Sequence, residues 1–194
     1  ALFPAQESQL NGPAKRWPAA VPYIAQHGMN EFFGADDQDI GIVMQGGMYN
    51  GVLRALELLG LADAFGQSRI PLYVLNVTYP LVDEEFVRFC AGKRGILIVE
   101  EGPPDYIEQA VHAILRRADL NTRVHGKDVL PMAGEYTGGV LLKGLAEYVR
   151  RYEPSLLEGR PLPRAARPTE PARMPDNPKA FAIQQASDQV QGRP

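Results

Sequence analysis

Lys93–Gly102 reads KRGILIVEEG, and its centre, Gly95 to Val99, carries no polar side chain. The run is largely β-branched and stops abruptly at Glu100, Glu101, Gly102, Pro103 and Pro104. A short apolar run with charge before it and Gly/Pro beyond it fits a strand buried on both faces. A buried helix would need more length, and the β-branching and the proline pair also favour the strand. Such strands occur mainly where helices cover both faces of a sheet.

The alternation continues on either side. Upstream, Ile40–Gln45 (IGIVMQ) and Pro71–Val77 (PLYVLNV) read as strands. The Gly46-Gly47 turn between them leads into a helix from about Tyr49 to Leu59, with Val52, Leu53, Ala55, Leu56 and Leu59 at helical spacing and Gly60 beyond its end. Asp83 is expected to cap a helix over Glu84–Ala91 that buries Phe86, Val87, Phe89 and Cys90. Downstream, Asp105–Ala118 repeats Ile107, Ala110, Val111, Ile114 and Leu115 at threes and fours, and Arg116-Arg117 suit its negative end. Arg123–His125 reads as a short strand. Glu135–Arg151 reads as a closing helix with Val140, Leu141, Leu145, Val149 and Tyr152 inward. Gly138, Gly139 and Gly144 weaken it by roughly 1 kcal/mol each unless close packing compensates. Pro22–Phe33 carries only a weak helical pattern in Tyr23, Ile24 and Met29. Strands alternating with helices predict an α/β fold, a three-layer α/β/α sandwich with a mainly parallel sheet of about four to five strands.

Proline placement divides the 194 residues. Of 17 prolines, four fall in the first 22 residues, eight in Glu153–Pro194 and five between Asp39 and Tyr152. The expected organisation is an irregular arm over 1–22, one domain over 23–152 and a Pro-rich tail over 153–194. Trp17 in the arm is expected to dock on something. Hydrophobic residues at 45% and charged residues at 22% are ordinary for a soluble domain. A net charge of −3 gives no reason to expect nucleic acid or a membrane surface as partner. No stretch approaches the roughly 18 apolar residues of a membrane span, and no signal peptide is visible, so the expected location is cytoplasmic. The single cysteine, Cys90, excludes an internal disulfide, a thiolate cluster and a cysteine-based zinc site within the chain.

Few residues suggest chemistry. Gln45-Gly46-Gly47-Met48-Tyr49-Asn50 places a glycine turn between a strand and a helix, a position where backbone N–H groups meet anions. It matches neither G-x-G-x-x-G nor a Walker loop, so a plain tight turn competes with a contact surface through Gly46, Gly47, Tyr49 and Asn50. Glu100 and Glu101 end a strand at the edge where α/β proteins bind ligands. Adjacent carboxylates point to opposite faces and cannot act as a glycosidase pair, so a solvated or helix-capping role is the simpler reading. His27, His112 and His125 share no ligand spacing, and no G-x-S-x-G is present. No catalytic, cofactor-binding or metal residue is assigned. Gly46, Gly47, Tyr49, Asn50 and Glu101 remain as ligand or domain contacts.

The wording of the middle goes further. GIVMQGGMYNGVLRALELLGLADAFGQSRIPLYVLNVTYPL, AGKRGILIVEEG and HGKDVLPMAGEYT, in that order, resemble the indolepyruvate:ferredoxin oxidoreductases over about Tyr23–Tyr152. VEEG also resembles the same strand end in the carboxy-terminal domain of transketolase-like enzymes. The resemblance implies the transketolase C-terminal-like second domain of an enzyme that oxidatively decarboxylates aryl-2-oxo acids and passes electrons to ferredoxin. It implies a parent that uses thiamine diphosphate, Mg, 4Fe-4S clusters and CoA, and a chain that holds none of them. The GDG diphosphate motif and the cysteine clusters are absent here, and where many members read GKxY this chain reads Gly46-Gly47-Met48-Tyr49. The implied partners are other domains or subunits of the parent, ferredoxin and a second copy in a dimer. The isolated chain is expected to be inactive, with an architectural role. The alternative is a free-standing module that binds a small ligand at the strand edge.

Overall fold

The computed structural model describes residues 17–34 and 38–159. These lie within one compact unit, Ala1–Pro163; a second unit, Arg164–Pro194, falls outside the described residues. Helix α1 (Trp17–Gln26) precedes strand β1 (Glu31–Phe33) and strand β2 (Ile40–Gln45). A 3-10 turn at Gly46–Met48 leads into helix α2 (Tyr49–Leu58). Strand β3 (Leu72–Leu75), helix α3 (Asp83–Cys90), strand β4 (Gly95–Val99) and helix α4 (Tyr106–Arg117) follow. Strand β5 (Arg123–His125), helix α5 (Gly138–Tyr152) and a 3-10 turn at Pro154–Leu157 complete the described order.

The sheet runs β1-β3-β2-β4-β5, with β1 antiparallel to β3 and the other pairs parallel. Period-two alternation sorts the strand side chains onto two cores. Ile42, Met44, Leu72, Val74, Leu97 and Val99 face α2 and α5. Val43, Tyr73, Leu75, Ile96 and Ile98 face α3 and α4. The result is the expected three-layer sandwich. Chain order reverses direction between β2 and β4, so the crevice beyond Gln45 and Val99 is the topological switch point.

Four expectations are corrected. Residues 31–33 are an antiparallel edge strand rather than helix, and the helix near them ends at Gln26. Asn30 and Asn76 fix that strand: Asn30 Nδ2 donates to Glu85 Oε2 (2.9 Å), Val77 N–H donates to Asn30 Oδ1 (3.0 Å), and Asn76 Nδ2 donates to Glu31 Oε2 (2.8 Å). Helix α1 starts at Trp17 and carries Pro22 within it, inside the stretch read as irregular; the expectation for the Trp17 side chain lies outside the described residues. Asp83 is the first residue of α3, and Val82 stands at its cap with no side-chain bond. Asp83 instead accepts from Arg117 Nη2 (2.9 Å), an ion pair to α4. The closing helix starts at Gly138 rather than Glu135, capped by Thr137; it buries Tyr148 together with the expected Leu141, Leu145 and Val149, while Val140 and Tyr152 are only partly buried against that core.

Candidate functional site

The strand ends at the switch point carry a polar network. Alternation sends the Glu100 side chain toward α4 and the Glu101 side chain toward the opposite layer, as two adjacent strand-end residues must. The Glu100 carboxylate is only 5% exposed. It accepts the Ile107 N–H on both oxygens (3.1 and 3.0 Å) and the Glu108 N–H on one (3.3 Å). It therefore fills the role that the cap residue of α4, Asp105, leaves empty. Glu101 Oε1 accepts the Tyr136 N–H (2.5 Å), and the Glu101 N–H donates to Gln45 Oε1 (3.0 Å), which joins the ends of β2 and β4.

Lys127 closes the network. Its ammonium donates to the Glu100 carbonyl, to the Gly102 carbonyl (3.0 Å) and to Tyr136 Oη (2.8 Å). Tyr136 Oη in turn donates to the Pro131 carbonyl (2.7 Å), and Glu108 Oε2 accepts the Lys127 N–H (2.9 Å). Burial lowers the Lys127 pKa, and the carboxylates of Glu100, Glu108, Asp105 and Glu101 act against that shift. Tyr136 is pushed up to about 12 by burial first and then by the charges of Glu100, Glu101 and Glu108. Among the described residues no buried side-chain nitrogen or oxygen lacks a hydrogen-bond partner.

A cleft of about 590 Å³ lies beside this network, between α3 and α4. Leu81, Ile107 and Ile114 line it, Gln45 and Glu100 stand at one end, and the Asp83–Arg117 ion pair is in its wall. Tyr79 and Tyr106, 74% and 70% exposed, also line it. The size is that of a small-molecule site or an anchor pocket.

The expected contact residues are not drawn together into one constellation. Gly46 lies against Asn76, where an added Cβ would meet Oδ1 at 2.7 Å, and Gly47 faces open space. Tyr49 turns to Phe33, with ring centroids 5.3 Å apart, and Asn50 is exposed. Glu101 is committed to Tyr136. Gln45, Lys127 and Tyr136 were not singled out from sequence. A polar residue ending the apolar run of β2 signals Gln45, but nothing in sequence spacing brings Lys127 to the carbonyls of Glu100 and Gly102. Outside this edge, the buried Glu85 accepts from Tyr73 Oη (2.6 Å) as well as from Asn30, and His125 Nδ1 and Nε2 bond Asp128 Oδ2 and Tyr152 Oη, both at 2.7 Å.

The model for the indolepyruvate oxidoreductase domain matches residues 30–138, more than half of the chain. The chain belongs to this family. The indolepyruvate oxidoreductase subunit IorA of Methanothermobacter thermautotrophicus is 36% identical over 117 residues, which is 59% of this chain and 18% of that protein. The subunit of the same name from Methanothermobacter marburgensis is 32% identical over 112 residues, and that from Pyrococcus horikoshii 28% over 116, each matched over 17% of its length. The chain thus spans less than a fifth of these relatives. The matched span contains β1 to β5 and the whole Glu100–Lys127–Tyr136 network.

The described residues do not fit a metal ion or an iron–sulfur cluster. Cys90 is buried and its thiol is pushed up to about 12, the opposite of a cluster-binding thiolate. Among the described residues no group of three His, Cys, Asp or Glu side chains is placed to hold a metal ion. The carboxylates at the strand edge are already spent on N–H donors of the fold.

Proposed function

We propose that this chain is an architectural domain of an indolepyruvate:ferredoxin oxidoreductase and does no chemistry by itself. The supporting observation is the use of the polar groups at the switch point. Glu100 caps a helix, Glu101 holds the Tyr136 loop, and Lys127 binds two carbonyls and a phenol. A site built for reaction leaves donors and acceptors aimed at substrate; here they bind one another. On this reading the parent, a cytoplasmic dimer, carries thiamine diphosphate, Mg, 4Fe-4S clusters and CoA in its other regions and delivers electrons to ferredoxin.

The test compares this chain with the complete parent in decarboxylation of indolepyruvate, with thiamine diphosphate, Mg and a dye acceptor. Activity only in the parent is expected. Turnover by the 194-residue chain alone would refute the reading. The cleft between α3 and α4 supports a second reading, a small-ligand module. Calorimetry against nucleotides, flavin and thiamine diphosphate tests it, and silence across that panel removes it.

A further inference from the structure

We infer that the cleft between α3 and α4 binds an α-amino acid with a large aromatic side chain, its zwitterionic headgroup closed onto the Asp83–Arg117 ion pair. The inference rests on the second reading above, the cleft as a small-ligand site, and names the class of ligand. The architectural reading does not depend on it.

The cleft is a trough along one face of α4. Tyr106, Ile107, Ala110, Ala113, Ile114 and Arg117 line it and recur along that helix at threes and fours. The two alanines leave width, while Ile107, Ile114 and, from the segment before α3, Leu81 supply apolar surface. Tyr79 and Tyr106 add aromatic rings at the border. A flat ring laid beside them gains contact beyond its buried area.

Three charged residues line the cleft. Glu100 is committed to the Ile107 and Glu108 N–H groups. The other two are Asp83, which starts α3, and Arg117, which ends α4, joined at 2.9 Å with both side chains more than half exposed. Glu84 and Asp105, next along the chain, do not line it. Arg117 Nη2 donates to Asp83 Oδ2; among the described residues, Asp83 Oδ1 and the Arg117 Nε and Nη1 groups have no partner. An unengaged acceptor and unengaged donors thus stand side by side in the wall of an apolar trough. An α-amino acid carries the complementary pair on one carbon, an ammonium for Asp83 and a carboxylate for the planar guanidinium fork. The four charges alternate in sign and sum to zero, so binding needs no net field from the domain. A bare acid would meet Asp83, and a bare amine would meet Arg117, each without the matching counter-charge. At the other end Gln45 Oε1 accepts the Glu101 N–H, which leaves Nε2 as a donor for a polar atom at the tip of the side chain.

Calorimetry on the 194-residue chain compares L-tryptophan, indole-3-propionate and tryptamine, which share one ring system and differ in headgroup. L-tryptophan should bind about fivefold more tightly than either, the upper worth of one exposed ion pair. Asp83→Asn should erase its advantage over indole-3-propionate, and Arg117→Gln its advantage over tryptamine. An exposed pair contributes little to stability, so both variants should fold, which circular dichroism checks. Equal binding of the three compounds to wild type would overturn the amino-acid assignment and leave a small-ligand cleft. A preference for L-tryptophan that survives either substitution would put the headgroup elsewhere and overturn it too. Silence from all three would also overturn it; heat from the nucleotide, flavin and thiamine diphosphate panel would then keep the second reading alone, and silence there would remove both.

Discussion

Replacing Glu100 with alanine isolates the work of one carboxylate. The side chain accepts from Ile107 N–H twice and from Glu108 N–H once, and α4 has no side-chain cap from Asp105. Loss of a cap costs about 0.5–2 kcal/mol, and a buried N–H left without a partner costs about 1–3 kcal/mol. These overlap, because the cap and the satisfied Ile107 N–H are largely the same bond. A net loss of about 1–3 kcal/mol is expected for Glu100→Ala. At about 2–4 °C per kcal/mol for a domain of this size, the unfolding temperature should fall by roughly 2–12 °C. Glu100→Gln keeps one acceptor oxygen and loses the charge at the helix N-terminus, so it should cost about 1 kcal/mol. Urea unfolding followed by circular dichroism measures all three proteins. Glu100→Ala within about 0.5 kcal/mol of wild type would refute the capping argument, since that is the scatter of surface substitutions.

Two glycines of α5 should respond to alanine with opposite signs. An added Cβ at Gly139 meets only Thr137 Oγ1 at 4.0 Å, so Gly139→Ala should stabilise by about 0.4–1 kcal/mol. At buried Gly144 it would lie 2.4 Å from Leu130 Cδ2; overpacking of about 1–3 kcal/mol outweighs the roughly 1 kcal/mol propensity gain, and unfolding midpoints should fall. Tyr136 predicts an alkaline limb: its hydroxyl titrates near 10 when unfolded and at about 12 when folded. Its contribution is complete below pH 10 and is lost as pH rises toward about 12, so Tyr136→Phe should flatten urea midpoints across that window.

The sandwich was legible because its signals are local. Apolar runs such as IGIVMQ and GILIV announce buried strands, and the repeat from Ile107 to Leu115 announces α4. Glu31–Phe33 was not legible, since a three-residue strand has too little length for a period, and its pairing depends on Asn30 and Asn76 reaching partners 45 or more residues away. The Asp83 cap failed for a related reason. An acidic residue at a helix start satisfies the same sequence pattern as a cap or as an ion-pair partner, and Arg117, 34 residues on, decides between them. Glu101 was found from its place at a strand end, but its use was not, because Tyr136 lies 35 residues downstream.

The family wording itself gains a physical reading from these bonds. VEEG, HGKDVLPMAGEYT and the Gln45 turn are distant in sequence, and they meet where β2 and β4 end. Glu100 faces one layer and fastens α4; Glu101 faces the other and fastens the Tyr136 loop. Two adjacent acids at a strand end thus clamp both helical layers to one sheet, and Lys127 joins the two attachments through the Glu100 and Gly102 carbonyls and the Tyr136 hydroxyl. If that is why these residues stand here, damage to them must appear as lost fold rather than altered chemistry. Glu101→Ala in the parent should lower the yield of folded enzyme while leaving KM for indolepyruvate and turnover per folded molecule unchanged. A parent with Glu101→Ala that folds in full yield but shows a raised KM would place Glu101 at the substrate instead, and the clamp would no longer explain the pair.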